Sequence, residues 1–221
     1  MVTWSGALLF LASLGYALYT FTVTFARVAP GPPAGRAITW NVTLFTIFAL
    51  HHTIFARTPV RAWVARRMPA LERSFYVWIA SVLFILVCRS WKPVGGLAWD
   101  VDGLARWLLL AAQGAGIVLT IWGAAALDFR ELAGIRGVNG VMEFKTAGPY
   151  GWVRHPIYAG WFLVVLAATP MTMTRLVFAV VSCAYLIVAI PFEEGTLRRA
   201  SDGAYAGYVE KVRWKLFPGV Y

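Results

Sequence analysis

Glu193 and Glu194 stand side by side behind Pro191, where they end a long apolar span and so sit at a helix C-terminus, in a chain with only 10 acidic residues. An acid at a membrane boundary marks a functional site by default. The bland reading is a salt bridge to Arg198 or Arg199 on the next turn. Forty residues upstream lies Gly148-Pro149-Tyr150-Gly151-Trp152-Val153-Arg154-His155-Pro156-Ile157-Tyr158-Ala159-Gly160. Pro156 suits the first position of a helix, where its missing N–H costs nothing. Arg154 and His155 then precede a helix N-terminus. Free amides, the positive dipole end and a guanidinium make an anion site there. Gly160 leaves room for a ligand or for another backbone. An anion site beside an anionic pair suits a zwitterion, such as an amino acid with its carboxylate and ammonium.

The elements that position these groups follow from the apolar runs. The chain has 221 residues, 60% hydrophobic and 14% charged. That excludes a disordered chain and an ordinary soluble enzyme. Two cysteines, Cys88 and Cys183, both inside apolar runs, exclude a disulfide scaffold and read as buried thiols. A helix needs about 20 apolar residues to cross a bilayer. Trp4 to Phe25, Ile38 to Phe55, Phe75 to Val87 with a Trp91 flank, and Leu104 to Leu127 meet that or nearly so. The first is not a cleavable signal, since no basic segment precedes it. The run from Ile157 to Ile190 breaks at Thr169-Pro170-Met171-Thr172 and reads as a tight hairpin of two helices. Its first arm, Pro156 to Ala168, is about 20 Å long, too short to cross unaided. That leaves a lipid-facing gap at the depth of Tyr158, Gly160 and Trp161. The tail from Gly195 to Val212 carries Leu197, Ala200, Ala204, Tyr208 and Val212 on a helical period and reads as an amphipathic surface helix.

The expected fold is therefore all-α: a polytopic transmembrane bundle of about six spans, one domain over 1–221, with four spans in 1–127 and the site-bearing loop, hairpin and tail in 128–221. With six spans, fourteen of the 20 Lys and Arg residues fall on one side. This sets that side, and both termini, as cytoplasmic in an integral membrane protein of a bacterial inner membrane. The net charge of +10 is thus topology, not a nucleic-acid footprint. The lipid bilayer is the expected partner, and nucleic acid is not one. His51 and His52, about 100° apart on one helix, do not chelate one ion readily, so no metal is expected.

The strings Val153 to Gly160, Glu193-Glu194, and Gly203, Tyr205, Tyr208 and Val212 resemble the isoprenylcysteine carboxyl methyltransferase superfamily over roughly residues 145–218. The earlier strings His52 to Arg57, Glu72 to Val77 and Trp91-Lys92-Pro93 are similar to its bacterial methanethiol S-methyltransferase and NnrU-like branch. The resemblance implies a membrane methyltransferase that uses S-adenosylmethionine. It implies that Tyr150, Arg154, His155, Pro156, Tyr158, Gly160, Glu193 and Glu194 hold the cofactor. Arg154, His155 and Glu194 stand closest to the chemistry, and His52, Trp161 and Tyr185 face the acceptor. Aromatic rings at Tyr150, Tyr158 and Tyr185 suit a sulfonium. No Gly-x-Gly-x-x-Gly follows a strand, which excludes the soluble methyltransferase fold. The acceptor is small and apolar or lipid-borne, a thiol or a carboxyl. The alternatives are an amine headgroup of a phospholipid, or a non-catalytic accessory role.

Overall fold

The computed structural model describes residues 2–55, 63, 64, 66, 67, 72–127, 133, 135, 145–201 and 203–221. Arg57, Arg61, Arg130, Arg136 and the Asn139-Gly140 turn lie outside the described residues. Among those described, the helices are α1 (Val2–Tyr19), α2 (Gly35–Phe55), α3 (Glu72–Ser90), α4 (Gly103–Ala125), α5 (Pro156–Leu166), α6 (Met173–Ala200) and α7 (Ala204–Lys211). Two short strands, β1 (Leu97–Trp99) and β2 (Met171–Thr172), form one antiparallel pair. Five helical stretches are long and apolar enough to cross a membrane: Trp4–Thr24, α2, α3, α4 and α6. The sixth apolar helix, α5, has only 11 residues. The expected all-α polytopic bundle with a short hairpin arm is what the chain forms. Large apolar side chains such as Leu8, Leu104, Trp107, Val118 and Val188 face outward, as lipid-facing residues do.

The chain divides into two compact units. The first holds α1 to α3, the strand pair and the opening turns of α6, to Val181. The first span ends differently from a plain helix. Thr20–Thr24 widens into a π-helical turn, closed by the Phe25 N–H donating to the Thr20 carbonyl at 2.8 Å. Thr22 Oγ1 donates back to the Leu18 carbonyl at 2.7 Å. Buried Arg175 then takes the loosened carbonyls of Phe21 and Thr22 at 2.9 and 2.8 Å. Buried Asn41 imitates a peptide, donating to the Lys92 carbonyl and accepting from the Lys92 N–H, both at 2.8 Å. Trp91, read from sequence as a flank, is buried among Phe25, Phe45 and Phe178.

The second unit holds Asp100–Phe129, Asn139–Pro170 and Ser182–Tyr221. Here α4 and α5 pack backbone against backbone. A Cβ on Gly116 would stand 2.7 Å from the Gly160 carbonyl, and one on Gly123 would stand 2.8 Å from Ile157 Cγ1. Small residues permit such an approach between membrane helices. Gln113 Nε2 ties the pair by donating to the Val164 carbonyl at 2.8 Å. Two sequence expectations are corrected in this unit. Helix α6 does not end at the Glu193-Glu194 pair; it runs 28 residues, through Pro191, to Ala200. Glu193 and Glu194 therefore sit inside a helix, not at its C-terminus. The tail is not one helix from Gly195 to Val212. It turns at Gly203, whose φ of +84° suits glycine alone, and restarts as α7.

Candidate active site

Pro156 opens α5, so the chain enters that helix from an extended turn carrying Val153, Arg154 and His155. Forty residues on, α6 carries Glu193 and Glu194 on its last turns. The two meet in the second unit. Arg154 Nε donates to Glu194 Oε1 at 2.7 Å, and His155 Nε2 lies 3.2 Å from the same oxygen. Glu194 is buried, at 6% exposure, as are Arg154 and His155. Burial strengthens such a charge-assisted bond and makes an unpaired partner costly. Glu193 is the open member of the pair: its side chain is 46% exposed. It accepts from the Tyr158 hydroxyl at 2.9 Å, and His155 Nδ1 stands 3.7 Å away. The His155 and Tyr158 rings stack nearly parallel, 5.4 Å apart.

The tail completes the site. Arg154 Nη1 donates to the carbonyls of Val212 and Arg213, at 2.8 and 2.6 Å. The backbone N–H groups of Arg154 and His155 donate to the carbonyls of Trp214 and Lys215, both at 2.9 Å. The amides expected to be free ahead of α5 are therefore taken by residues 212–215, a strap of main chain. The anion site read from sequence is narrower than expected. Among the described residues, nothing accepts from Arg154 Nη2, so that amino group is its remaining donor.

Tyr150 and Tyr208 stand near this knot, whereas His52, Trp161 and Tyr185 make other contacts. The Tyr150 carbonyl accepts from the Tyr208 hydroxyl at 2.7 Å, and its own hydroxyl reaches the Gly123 carbonyl at 3.4 Å. Burial pushes the Tyr208 hydroxyl up to about 12. Burial first, then the Glu193 charge, pushes Tyr150 up as well. Both phenols thus stay protonated donors. The room at Gly160 is filled by α4: a Cβ there would stand 2.6 Å from the Gly116 carbonyl and against Thr120. The expected lipid-facing gap at Gly160 is closed by that crossing. Pro156 is likewise buried, with its ring near Gly123. Trp161 Nε1 donates to Ser182 Oγ at 3.0 Å, and Tyr185 lies half-buried one turn on along α6. His52 belongs to the first unit, on α2, against Phe48 and Tyr76. Among the described residues no cluster of His, Cys, Asp and Glu could hold a metal. Sequence reasoning missed the strap, because backbone acceptors leave no side-chain signature; buried Tyr205, 1% exposed, and Tyr208 were the signal that the tail packs inward.

The Isoprenylcysteine carboxyl methyltransferase (ICMT) family matches residues 139–199, the segment that supplies Arg154, His155 and both acids. The chain is 31% identical over 229 residues to Methanethiol S-methyltransferase 2 of Bradyrhizobium diazoefficiens, covering 93% of this chain and 88% of that protein. It is 34% identical over 220 residues to Methanethiol S-methyltransferase of Mycobacterium tuberculosis, covering 93% and 90%. The chain belongs to the isoprenylcysteine carboxyl methyltransferase family. It is a membrane methyltransferase. Nurim of Rattus norvegicus is a more distant relative of this methyltransferase, 25% identical over 179 residues, covering 73% of this chain and 68% of that protein. No solved structure matches it.

Proposed function

We propose that this methyltransferase moves a methyl group from S-adenosylmethionine to a small apolar thiol such as methanethiol, at the face of the bundle where Arg154, His155, Glu193 and Glu194 meet. The observation that carries the reading is the split of the Glu pair. Glu194 is buried against Arg154 and His155, while Glu193 is half-exposed, bonded among the described residues by the Tyr158 hydroxyl with His155 Nδ1 3.7 Å away. That donor set fits the cofactor's amino-acid end. A carboxylate with acceptor capacity to spare suits an ammonium, and Arg154 Nη2 suits a carboxylate. Tyr158, beside Glu193, presents a ring suited to a sulfonium. When bound, the cofactor supplies an electrophilic methyl group.

The chain's own residues then bind and orient. Displacement at carbon asks the protein mainly to align two reactants and keep water out. The strap and the Glu194 knot hold the entry to α5 in one conformation, so Glu193 and Tyr158 stand where a ligand meets them. A thiol acceptor would give up its proton to water at the half-exposed face beside Glu193 as its sulfur takes the methyl carbon, the donor's own carbon–sulfur bond breaking in the same displacement. The curated relatives that cover this chain nearly end to end carry the name of a thiol methylation, which favours a thiol over a carboxyl or an amine.

The test uses the full chain in lipid nanodiscs, with S-adenosylmethionine and methanethiol, and headspace detection of dimethyl sulfide. Dimethyl sulfide formed by the wild type and lost in Glu193→Gln is the expected result. Methylation of a prenylated carboxyl or a phospholipid amine, with methanethiol untouched, overturns the thiol assignment. Calorimetry with S-adenosylhomocysteine reads the cofactor assignment separately.

A further inference from the structure

The strap that holds Arg154 has an outer side. Inward, the carbonyls of Val212, Arg213, Trp214 and Lys215 accept the Arg154 guanidinium and the amides of Arg154 and His155. Outward, the side chains of Lys211 and Arg213 are exposed, and Trp214 is 40% exposed. Among the described residues no side chain pairs with Lys211 or Arg213. Lys215 is occupied: its ammonium meets the Tyr221 hydroxyl at 3.1 Å and lies over that ring at 4.3 Å. Between Gly203 and Tyr221 the sequence has three basic residues and one acid, Glu210. Trp152, 62% exposed, lies two residues before Arg154 on the segment the strap grips, and Arg199 is exposed at the end of α6.

The height of this surface follows from helix length. Helix α6 has 28 residues, about 42 Å at 1.5 Å per residue, against a hydrocarbon core of about 30 Å. Its last turns must leave the core, and α7 and the strap follow them directly. Exposed tryptophans beside exposed cations at that level match the headgroup zone, where indole rings settle and basic side chains attract acidic lipids. A water-soluble acidic partner gives no reason for two exposed indoles.

We propose that Lys211, Arg213 and Trp214, with Trp152 on the segment the strap grips, form a docking surface for the phosphate headgroup of an anionic phospholipid, and that a lipid held there stiffens the strap on which Arg154 hangs. The bilayer's surface charge is thereby coupled to the geometry at Arg154 and Glu194 through main chain alone. The coupling stands whether or not the acceptor is a thiol.

The experiment needs no methyl transfer, so its failure is distinct from failure of the thiol reading. The full chain is placed in nanodiscs of phosphatidylcholine, with and without phosphatidylglycerol. Native mass spectrometry reads the lipids retained, and hydrogen exchange reads the amides of Arg154 and His155. Phosphatidylglycerol is retained in preference to phosphatidylcholine, and both amides exchange several-fold more slowly in its presence. Each cation is worth about five-fold in retention. The double variant Lys211→Gln/Arg213→Gln therefore loses most of the preference and the protection. The charge-keeping pair Lys211→Arg/Arg213→Lys retains both, which separates charge from folding. Equal retention of the two lipids, or amide protection indifferent to them, overturns the proposal. So does equal protection by soluble inorganic polyphosphate in phosphatidylcholine discs, which assigns the surface to a soluble polyanion instead.

Discussion

Glu194 Oε1 takes the Arg154 Nε–H bond and stands within reach of His155 Nε2, so one oxygen joins two residues of the turn before α5. Replacing Glu194 by Gln keeps the shape and removes the charge. A buried guanidinium then lacks its counter-ion, a loss of about 1.5–3 kcal/mol, or roughly 10–150-fold in binding. Glu194→Gln should weaken S-adenosylhomocysteine binding by that factor in calorimetry and lower the melting temperature. Arg198, the partner that sequence proximity suggests, is exposed and lies 6.0 Å over the Tyr205 ring. Arg198→Gln should leave both readouts within about 0.5 kcal/mol of wild type. Equal effects of the two variants would return the acid pair to a purely structural role. Tyr158→Phe removes one bond to a half-exposed carboxylate. Cofactor affinity should fall about five-fold while the melting temperature holds. A melting temperature that falls as far as in Glu194→Gln would make that hydroxyl structural instead.

At the scale of elements, the crossing of α4 over α5 sets where Arg154 and His155 stand, because α5 begins at the next residue. Gly116 and Gly160 meet at that crossing. Gly116→Ala forces a methyl into the α5 backbone and should cost about 1–3 kcal/mol. Gly114, two residues earlier and on the opposite side of α4, meets nothing within 4 Å. Gly114→Ala should therefore stabilise, by about 0.5–1 kcal/mol, through helix propensity. Thermal unfolding of the two variants in one detergent reads the opposite signs, and shifts of the same sign would refute the crossing. Gly160→Leu, which the sequence alone casts as plugging a lipid-side gap, acts here by separating two helices. The long helices were legible because lipid demands unbroken apolar runs. The hairpin was legible from Pro156 and the break at Thr169-Pro170, and the hairpin brought Arg154 and the Glu pair to one end. Helix α6 was cut too early because Pro191 removes one ladder bond locally, while the apolar turns before it and the Glu194 anchor after it keep the helix going. Gly160 announced a close approach, but its spacing did not say whether a ligand or α4 would come. The strand pair at Leu97–Trp99 is too short to leave a period.

For the molecule as a whole, the asymmetry of basic residues predicts which side of the membrane each loop occupies. Reporter fusions at Gly31, Arg66, Asp100 and Gly140 should read outside, inside, outside and inside. An external Arg66 would overturn this orientation and, with six spans, put the acid pair on the other side of the membrane. The strap adds a matter of timing. Arg154 waits for acceptors 58 and 59 residues further along the chain. A ribosome adds about 5–20 residues per second, so roughly 3–12 s separate the emergence of the guanidinium from that of the carbonyls that hold it. During synthesis α5 and α6 can enter the membrane while the guanidinium just ahead of α5 still lacks two of its three acceptors. Insertion and completion of the site are then separate events. A released chain ending at Lys211 should insert in the membrane with Arg154 and His155 amides that exchange as in an open loop, and the full chain should protect them.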